Sequence, residues 1–560
     1  MAPELDVLSC AVLRLDHARR LLRHHAALAV ALGVAAACVA WRWGTHVASG
    51  SDAYGYVSEA ELFSRGQMQI DQSFVADVPW PLAEYTFSTL AYRPTADGLH
   101  LVPTYAPGLP LLMAGAKIVA GTCAMFAVVP ILFGTLVFAT YSIGRQIGRP
   151  VVGLAAAWLV ATSPAVLFSA MWPMSDVPAA AMWAVSVALL VRETGTTAAW
   201  SGLAAAMAVL VRPNLVPIAA MLLLWIGWRD IATARWRDWR RVCLPWFALG
   251  ASVGIVAVMI IFAQLYGSPL RSGYGDLSEK FAARWIPRNL QNYGGWLLSA
   301  ETPLAVLGLV SLAVPFARCW TTPRSRAVSW LLAGCTVMTW GSYLAWLPFD
   351  AWWYLRFLLP SWPMMALGSA SVAAAGYRLG HGNPWARAMA IAVLVLVGAH
   401  GVRTAISRNA FGLAAQEAAY VDAARVAAMF AGPDDVIIAR EFSGSTRYYA
   451  GLLTLDVSHL AQQPEWLDRA VQWLNERGHH VYFLLNRDES WVFRREWTPR
   501  SRLAQLDWTP LMVARGGDVR LYDSVPRYLP IEPLSLPDGP PGRCYPPKPY
   551  PTLRTIAQAR

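Results

Sequence analysis

The chain has 560 residues, of which 56% are hydrophobic and only 14% charged, with 27 Trp and a formal net charge of +11. That much apolar surface exceeds what a soluble core absorbs, and repeated apolar runs of about 16 to 23 residues describe a polytopic membrane protein. The basic residues sit at the ends of those runs, where topology accounts for them, so nucleic acid is excluded as a partner.

In chain order, Arg14, Arg19, Arg20 and Arg23 lead into the first run, 26–43, which reads as a retained anchor with residues 1–25 in the cytoplasm. Residues 44–122 then form an outer loop. Within it Ser51 or Asp52 caps a helix at 53–65 that Gly66 stops. Ala53, Tyr56, Val57, Ala60 and Phe63 line one apolar face of that helix while Glu59 and Glu61 point elsewhere, the pattern of a helix lying flat on a bilayer. Residues 106–121, with Pro107, Gly108 and Pro110, suit a shallow re-entrant helix.

Further spans are expected at 123–142, 151–170 and 177–191, then at two short runs divided by LVRPN at 210–214. Others follow at 243–265, 303–317, 327–347, 357–376 and 387–402, for a total of about eleven transmembrane helices. An outer loop, 266–302, carries Arg271, Asp276, Glu279, Lys280, Arg284 and Arg288. Together, 26–402 make the transmembrane domain. From 403 to 530 the runs DVIIAR, LLTLDV, EWLDRAVQWLNERG, HVYFLLN and DVRLYD alternate strand and helix patterns, indicating a small extracytoplasmic α/β domain, followed by a Pro-rich tail at 531–560. The seven cysteines suggest no disulfide framework, Cys544 stands alone, and no Cys/His cluster has zinc spacing.

On this topology Asp52 and Asp176 share one face of the membrane, where two carboxylates can divide base and positioning roles. Each also has a plain reading as a helix cap, and Pro178 in the turn after Asp176 is compatible with that. Arg212, Arg356 and Lys117 are the candidate cations for a phosphate group, since Arg binds phosphate bidentately in a low-dielectric setting. For Arg356 the alternatives are snorkelling or pairing with Asp350; for Lys117, snorkelling outward. Glu59, Glu61, Asp71, Asp77, Glu84 and Asp97 read mostly as solvated charges, and His100 as a loop histidine. A Walker lysine loop, a strand-linked GxGxxG and an Asp-x-Asp pair are all missing. Outside the cell no nucleotide-activated sugar is at hand, so a lipid phosphate is the natural activated donor.

The segments DAYGYVSEAELFSRG, YAPGLPLLMA, SDVPAAAMWAVSVALL, LVRPN and YLRFLLPSWPMMALG, in that order, resemble the GT-C superfamily of integral-membrane glycosyltransferases. The similarity is to bacterial relatives of protein O-mannosyltransferases and lipid A aminoarabinose transferases, over roughly residues 25 to 400. The resemblance implies transfer of a sugar, usually with inversion, from a polyprenyl-phosphate carrier to a cell-envelope glycan, lipid or protein at the outer face of a bacterial cytoplasmic membrane. It implies Asp52 as base or positioner, Asp176 as the acidic residue of the second outer loop, and Arg356 as the arginine heading the late span. Thr104 and Tyr105 stand where aminoarabinose transferases carry Glu-Lys, so a divalent metal is left open and no other cofactor is expected. The competing readings are a lipid-linked-sugar flippase or other secondary transporter, and a non-catalytic receptor or assembly subunit.

Overall fold

The computed structural model describes residues 24–526, 534–536 and 544–549, except 148, 239–240, 276–279, 315–317, 381–382, 461–464 and 498–500. The N-terminal arginines 14, 19, 20 and 23, Asp276, Glu279 and most of the Pro-rich tail lie outside the described residues. The helical part begins with α1 (His24–Trp43), α2 (Asp52–Ser64), α3 (Ala83–Thr86), α4 (Gly108–Ala120), α5 (Val128–Gln146), α6 (Pro150–Thr162) and α7 (Pro164–Ala170). It continues through α8 (Asp176–Leu190), α9 (Gly195–Val211), α10 (Val216–Ala232), α11 (Leu244–Tyr266), α12 (Ile286–Ala300) and α13 (Pro303–Ala313). It closes with α14 (Pro323–Leu344), a 3-10 stretch Trp352–Ser361, α15 (Trp362–Leu379) and α16 (Pro384–Ser407).

By length and composition, six of the described helical segments can cross a membrane: His24–Trp43, Thr122–Gln146, Pro213–Ala232, Leu244–Tyr266, Trp352–Leu379 and Pro384–Ser407. The pair α6 and α7, bent by 59° at Ser163, makes a seventh if it is one span. Four apolar helices, α4, α8, α9 and α13, are shorter. Small residues let these helices approach closely: Gly250 and Gly254 form a GxxxG seam on α11 whose missing side chains leave room for the backbone of α9 at Ala199 and Ala206.

Two features of residues 44–122, the expected outer loop, differ from expectation. α2 does not lie flat on a bilayer, because every residue from Ala53 to Leu62 is buried, Glu59 and Glu61 included. Its faces are covered by α4 and by the C-terminal part of the chain, where Gly444 abuts the Tyr54 ring. Strands β1 (Ile70–Asp71), β2 (Tyr92–Pro94) and β3 (His100–Pro103) form a small antiparallel sheet in the order β1-β3-β2.

The C-terminal region carries α17 (Leu413–Phe430), α18 (Ser443–Ser445), α19 (Trp466–Glu476) and α20 (Arg487–Trp497). Its sheet comprises β4 (Val436–Ile438), β5 (Leu453–Leu455), β6 (Val481–Asn486), β7 (Met512–Ala514), β8 (Val519–Asp523) and β9 (Leu534–Leu536) in the order β5-β4-β6-β8-β7-β9. β4 runs parallel to β5 and β6, while β8 is antiparallel to β6 and β7. The apolar residues of one face of this sheet, among them Val436, Ile438, Val481 and Phe483, share a core with Val75, Trp80 and Phe87 of the loop 44–122. The Asp456 amide donates to the Thr86 carbonyl at 2.7 Å, so loop and sheet are hydrogen-bonded as well as packed. Cys544 is not alone: it forms a disulfide with Cys123 at the head of the α5 segment. The pairing is invisible in the sequence because 421 residues separate the partners.

Candidate active site

Four charged side chains that the sequence singles out come together between the ends of helices. Asp52 and Asp176 each occupy the first turn of a helix, α2 and α8, where the positive end of the helix favours a carboxylate. Ser51 and Ser175, the residues at the N-cap positions, make no side-chain capping bond. Arg212 follows the last turn of α9, where Pro213 ends the helix. Arg356 lies in the 3-10 stretch ahead of α15 and is 8% exposed.

The carboxylates are taken up by these arginines. Arg356 Nη2 donates to Asp52 Oδ2 at 2.7 Å, and Tyr105 Oη donates to Asp52 Oδ1 at 2.5 Å. Arg212 Nη2 donates to Asp176 Oδ1 at 2.6 Å, its Nε to Ser175 Oγ at 2.9 Å and its Nη1 to Tyr343 Oη at 2.9 Å. The pairs are joined in two ways. Tyr56 shares a 2.8 Å hydrogen bond with Ser175 and packs its ring 4.9 Å from that of Tyr105. Phe357 lies 5.6 Å from the Arg212 guanidinium and 5.4 Å from that of Arg356.

The pairs differ in access. The Asp52 side chain is 30% exposed, whereas that of Asp176 is 1% exposed. Burial opposes ionisation of Asp52, but the Arg356 charge and the Tyr105 hydrogen bond outweigh it and hold the carboxyl below its ordinary value. Arg356 also keeps donors in reserve: its Nη1 faces the thioether sulfur of Met174 at 2.8 Å, a weak acceptor, and its buried Nε has no hydrogen-bond partner among the described residues.

Lys117 is not part of this group. Its Nζ pairs with Glu61 Oε2 at 2.5 Å and donates to Ser64 Oγ at 3.0 Å, at the opposite end of α2 from Asp52. Glu61 is nine residues beyond Asp52, a rise of roughly 13 Å along the helix. Nor does Asp350 pair with Arg356; it meets Arg288 at 2.7 Å on the surface. Tyr56, Tyr105, Met174, Ser175, Tyr343 and Phe357 were not singled out. Tyr56 had a usable signal, standing four residues after Asp52 on the same helical face, and Ser175 adjoins Asp176; nothing local marks Tyr343. Among the described residues no group of three or more His, Cys, Asp or Glu side chains is placed to hold a metal ion. Both site carboxylates already face arginines, so these residues do not form a metal-binding set.

No protein-family model and no curated protein matches the sequence. Solved structures do match. ArnT from Cupriavidus metallidurans bound to undecaprenyl phosphate superposes with a TM-score of 0.54 at 13% identity, covering 89% of this chain and 98% of that one. The oligosaccharyltransferase of Archaeoglobus fulgidus tethered with an acceptor peptide superposes with a TM-score of 0.51 at 11% identity, covering 88% of this chain and 74% of that one. At these identities the likeness shows the fold alone: the chain is built like these two solved structures. Its long apolar helices fit an integral membrane protein.

Proposed function

We propose that this protein is a glycosyltransferase moving a sugar from a polyprenyl-phosphate carrier to a cell-envelope acceptor at the outer face of a bacterial cytoplasmic membrane. The observation that carries the reading is the half-used guanidinium of Arg356 beside the accessible carboxylate of Asp52. A phosphate oxygen is a far better acceptor than a thioether, so a donor phosphate satisfies the reserve donors of Arg356 and competes with Asp52 for its charge.

That competition supplies a mechanism. While the Arg356 Nη2 is paired with Asp52, the carboxylate is a weak base. Once the phosphate draws on Arg356, Asp52 regains proton affinity and can orient the acceptor hydroxyl and take its proton. The hydroxyl oxygen forms a bond to the anomeric carbon, the carbon–oxygen bond to phosphate breaks, and the phosphate leaves with that electron pair, inverting the centre. No strong general acid is required, because the leaving group is an anion stabilised by Arg356 and, across the Phe357 ring, by Arg212. Asp176 is a positioning residue in this scheme, holding Arg212 from a buried site. The ArnT structure contains undecaprenyl phosphate and the archaeal enzyme an acceptor peptide; both are compatible with a carrier-lipid donor here.

The accompanying topology has eleven crossings with α4 re-entrant, the N-terminus cytoplasmic and the C-terminal sheet periplasmic. The test uses purified protein in lipid with radiolabelled polyprenyl-phosphate sugars. Label leaving the carrier, and its loss by about a hundredfold or more in Asp52→Asn with the protein still folded, is the expected outcome. Unchanged turnover in that variant removes Asp52 from the reaction, and label crossing the bilayer with no bond cleaved identifies a flippase.

A further inference from the structure

A second site, whose lining includes none of the four charged residues above, lies at the junction of α6 and α7. It is an open cavity of about 490 Å³, mouth included, set between the ends of α6, α13, α15 and α16. Its polar wall contains Ser163, Glu301, Trp362 and His400; its apolar wall includes Leu159 and Val397. The cavity opens outward, since Glu301, Leu159 and Val397 are half-buried and His400 is exposed. Below it, α13 and α16 carry apolar side chains on their outer surfaces, among them Leu307, Val310 and Leu396. The site thus has a polar head region continuing into a lipid-facing apolar track.

Glu301 decides what fits. Its Oε1 accepts from Ser163 Oγ at 2.6 Å and from Trp362 Nε1 at 3.3 Å, and the Ala165 amide also contributes. All of these are neutral donors. No Lys, Arg or His nitrogen lies within 4.0 Å of it among the described residues. Arg408, which follows α16, is engaged elsewhere, donating to the Ser299 carbonyl and stacked 4.6 Å from the Trp352 ring. A carboxylate in an apolar setting with neutral donors but no cation is complementary to a cationic ligand.

The geometry points to a headgroup-selective lipid site: a lipid bearing a primary ammonium places that group against Glu301 and lays its chains along α13 and α16. A primary ammonium brings N–H donors as well as charge, so it hydrogen-bonds Glu301; a trimethylammonium of equal charge cannot. Trp362, which lines this cavity, is six residues after Arg356, yet the proposal does not depend on sugar transfer.

Native mass spectrometry of the full chain in detergent tests it with phosphatidylethanolamine and phosphatidylcholine of identical chains. Wild type is expected to retain the ethanolamine lipid about tenfold better than the choline lipid, the equivalent of one charge-assisted hydrogen bond. Glu301→Gln is expected to erase that preference. Val397→Trp, which fills the mouth and leaves Glu301 intact, is expected to lose retention of the ethanolamine lipid, and it decides the matter if Glu301→Gln does not fold. Equal retention of both lipids by wild type overturns the proposal, as does a preference that survives in a folded Glu301→Gln protein or in Val397→Trp.

Discussion

At the residue scale, the two acidic groups separate into different jobs because of burial. Asp176 is almost completely enclosed and hydrogen-bonded to Arg212, so removing its charge strands a buried guanidinium. Asp176→Asn is therefore expected to cost about 3–5 kcal/mol of stability, read as a lower thermal midpoint in detergent. Asp52→Asn leaves a more accessible partner and is expected to cost less stability than Asp176→Asn while costing more activity. The lowered value of Asp52 fixes the direction of its pH effect. Its contribution is present above the ordinary carboxyl range and is lost only as pH falls through the depressed value, so Asp52 contributes no titration between pH 5 and 8 in the free protein. Arg212 and Arg356 were legible as functional candidates because a charge beside apolar spans is costly unless paired. Tyr343 was not, since nothing in the order of the chain distinguishes it among 20 tyrosines, whereas Tyr56 was marked only by standing four residues after Asp52 and Tyr105 only by its place beside Thr104.

At the element scale, α2 is a buried strut between the transmembrane helices and the C-terminal sheet. Its periodicity gave the helix and its end: Gly66, at φ +70°, terminates it with its amide on the Phe63 carbonyl. Periodicity did not give its surroundings, because distant segments pack around the helix, burying Glu61, which pairs with Arg65 and Lys117, and enclosing Glu59 as well. Gly55 sets how closely Tyr105 approaches this helix; an added Cβ would stand 2.4 Å from the Tyr105 ring. Gly55→Ala is expected to push Tyr105 from Asp52 and to reduce transfer by about tenfold or more, checked by turnover with the melting temperature recorded alongside. A fall in melting temperature with normal turnover would separate packing from positioning.

At the scale of the whole molecule, loop, sheet and helices meet at groups with displaced titration. Burial raises Glu417, beside Ser49 and Trp172, to about 7, and burial likewise raises Glu489 to about 7 from 4.5. These values are higher folded than unfolded, so the stabilisation from protonated carboxyls is complete below about 4.5 and is lost as pH rises through 7. Thermal unfolding of the C-terminal region should accordingly be easier at pH 8 than at pH 5, by up to about 3 kcal/mol per group. Glu417→Gln and Glu489→Gln should each flatten the profile; an unchanged profile in the double variant would assign the pH dependence elsewhere. The segment patterns had indicated strands and helices after 403, but not the insertion of Trp80 and Phe87 from the outer loop into their core.

Hydropathy, basic flanks and local spacing are short-range properties, and they were enough to establish a polytopic helical protein, the resemblance to GT-C enzymes and the charges needing partners. Which charges meet is decided by packing between distant segments. Asp52 and Arg356 are 304 residues apart, Lys117 goes to Glu61 instead of the arginines, and Cys123 finds Cys544 across 421 residues. A shared face of the membrane leaves two dimensions of separation open. Only the crossing of helices and the folding of the outer loop over them reduces that separation to hydrogen-bond length.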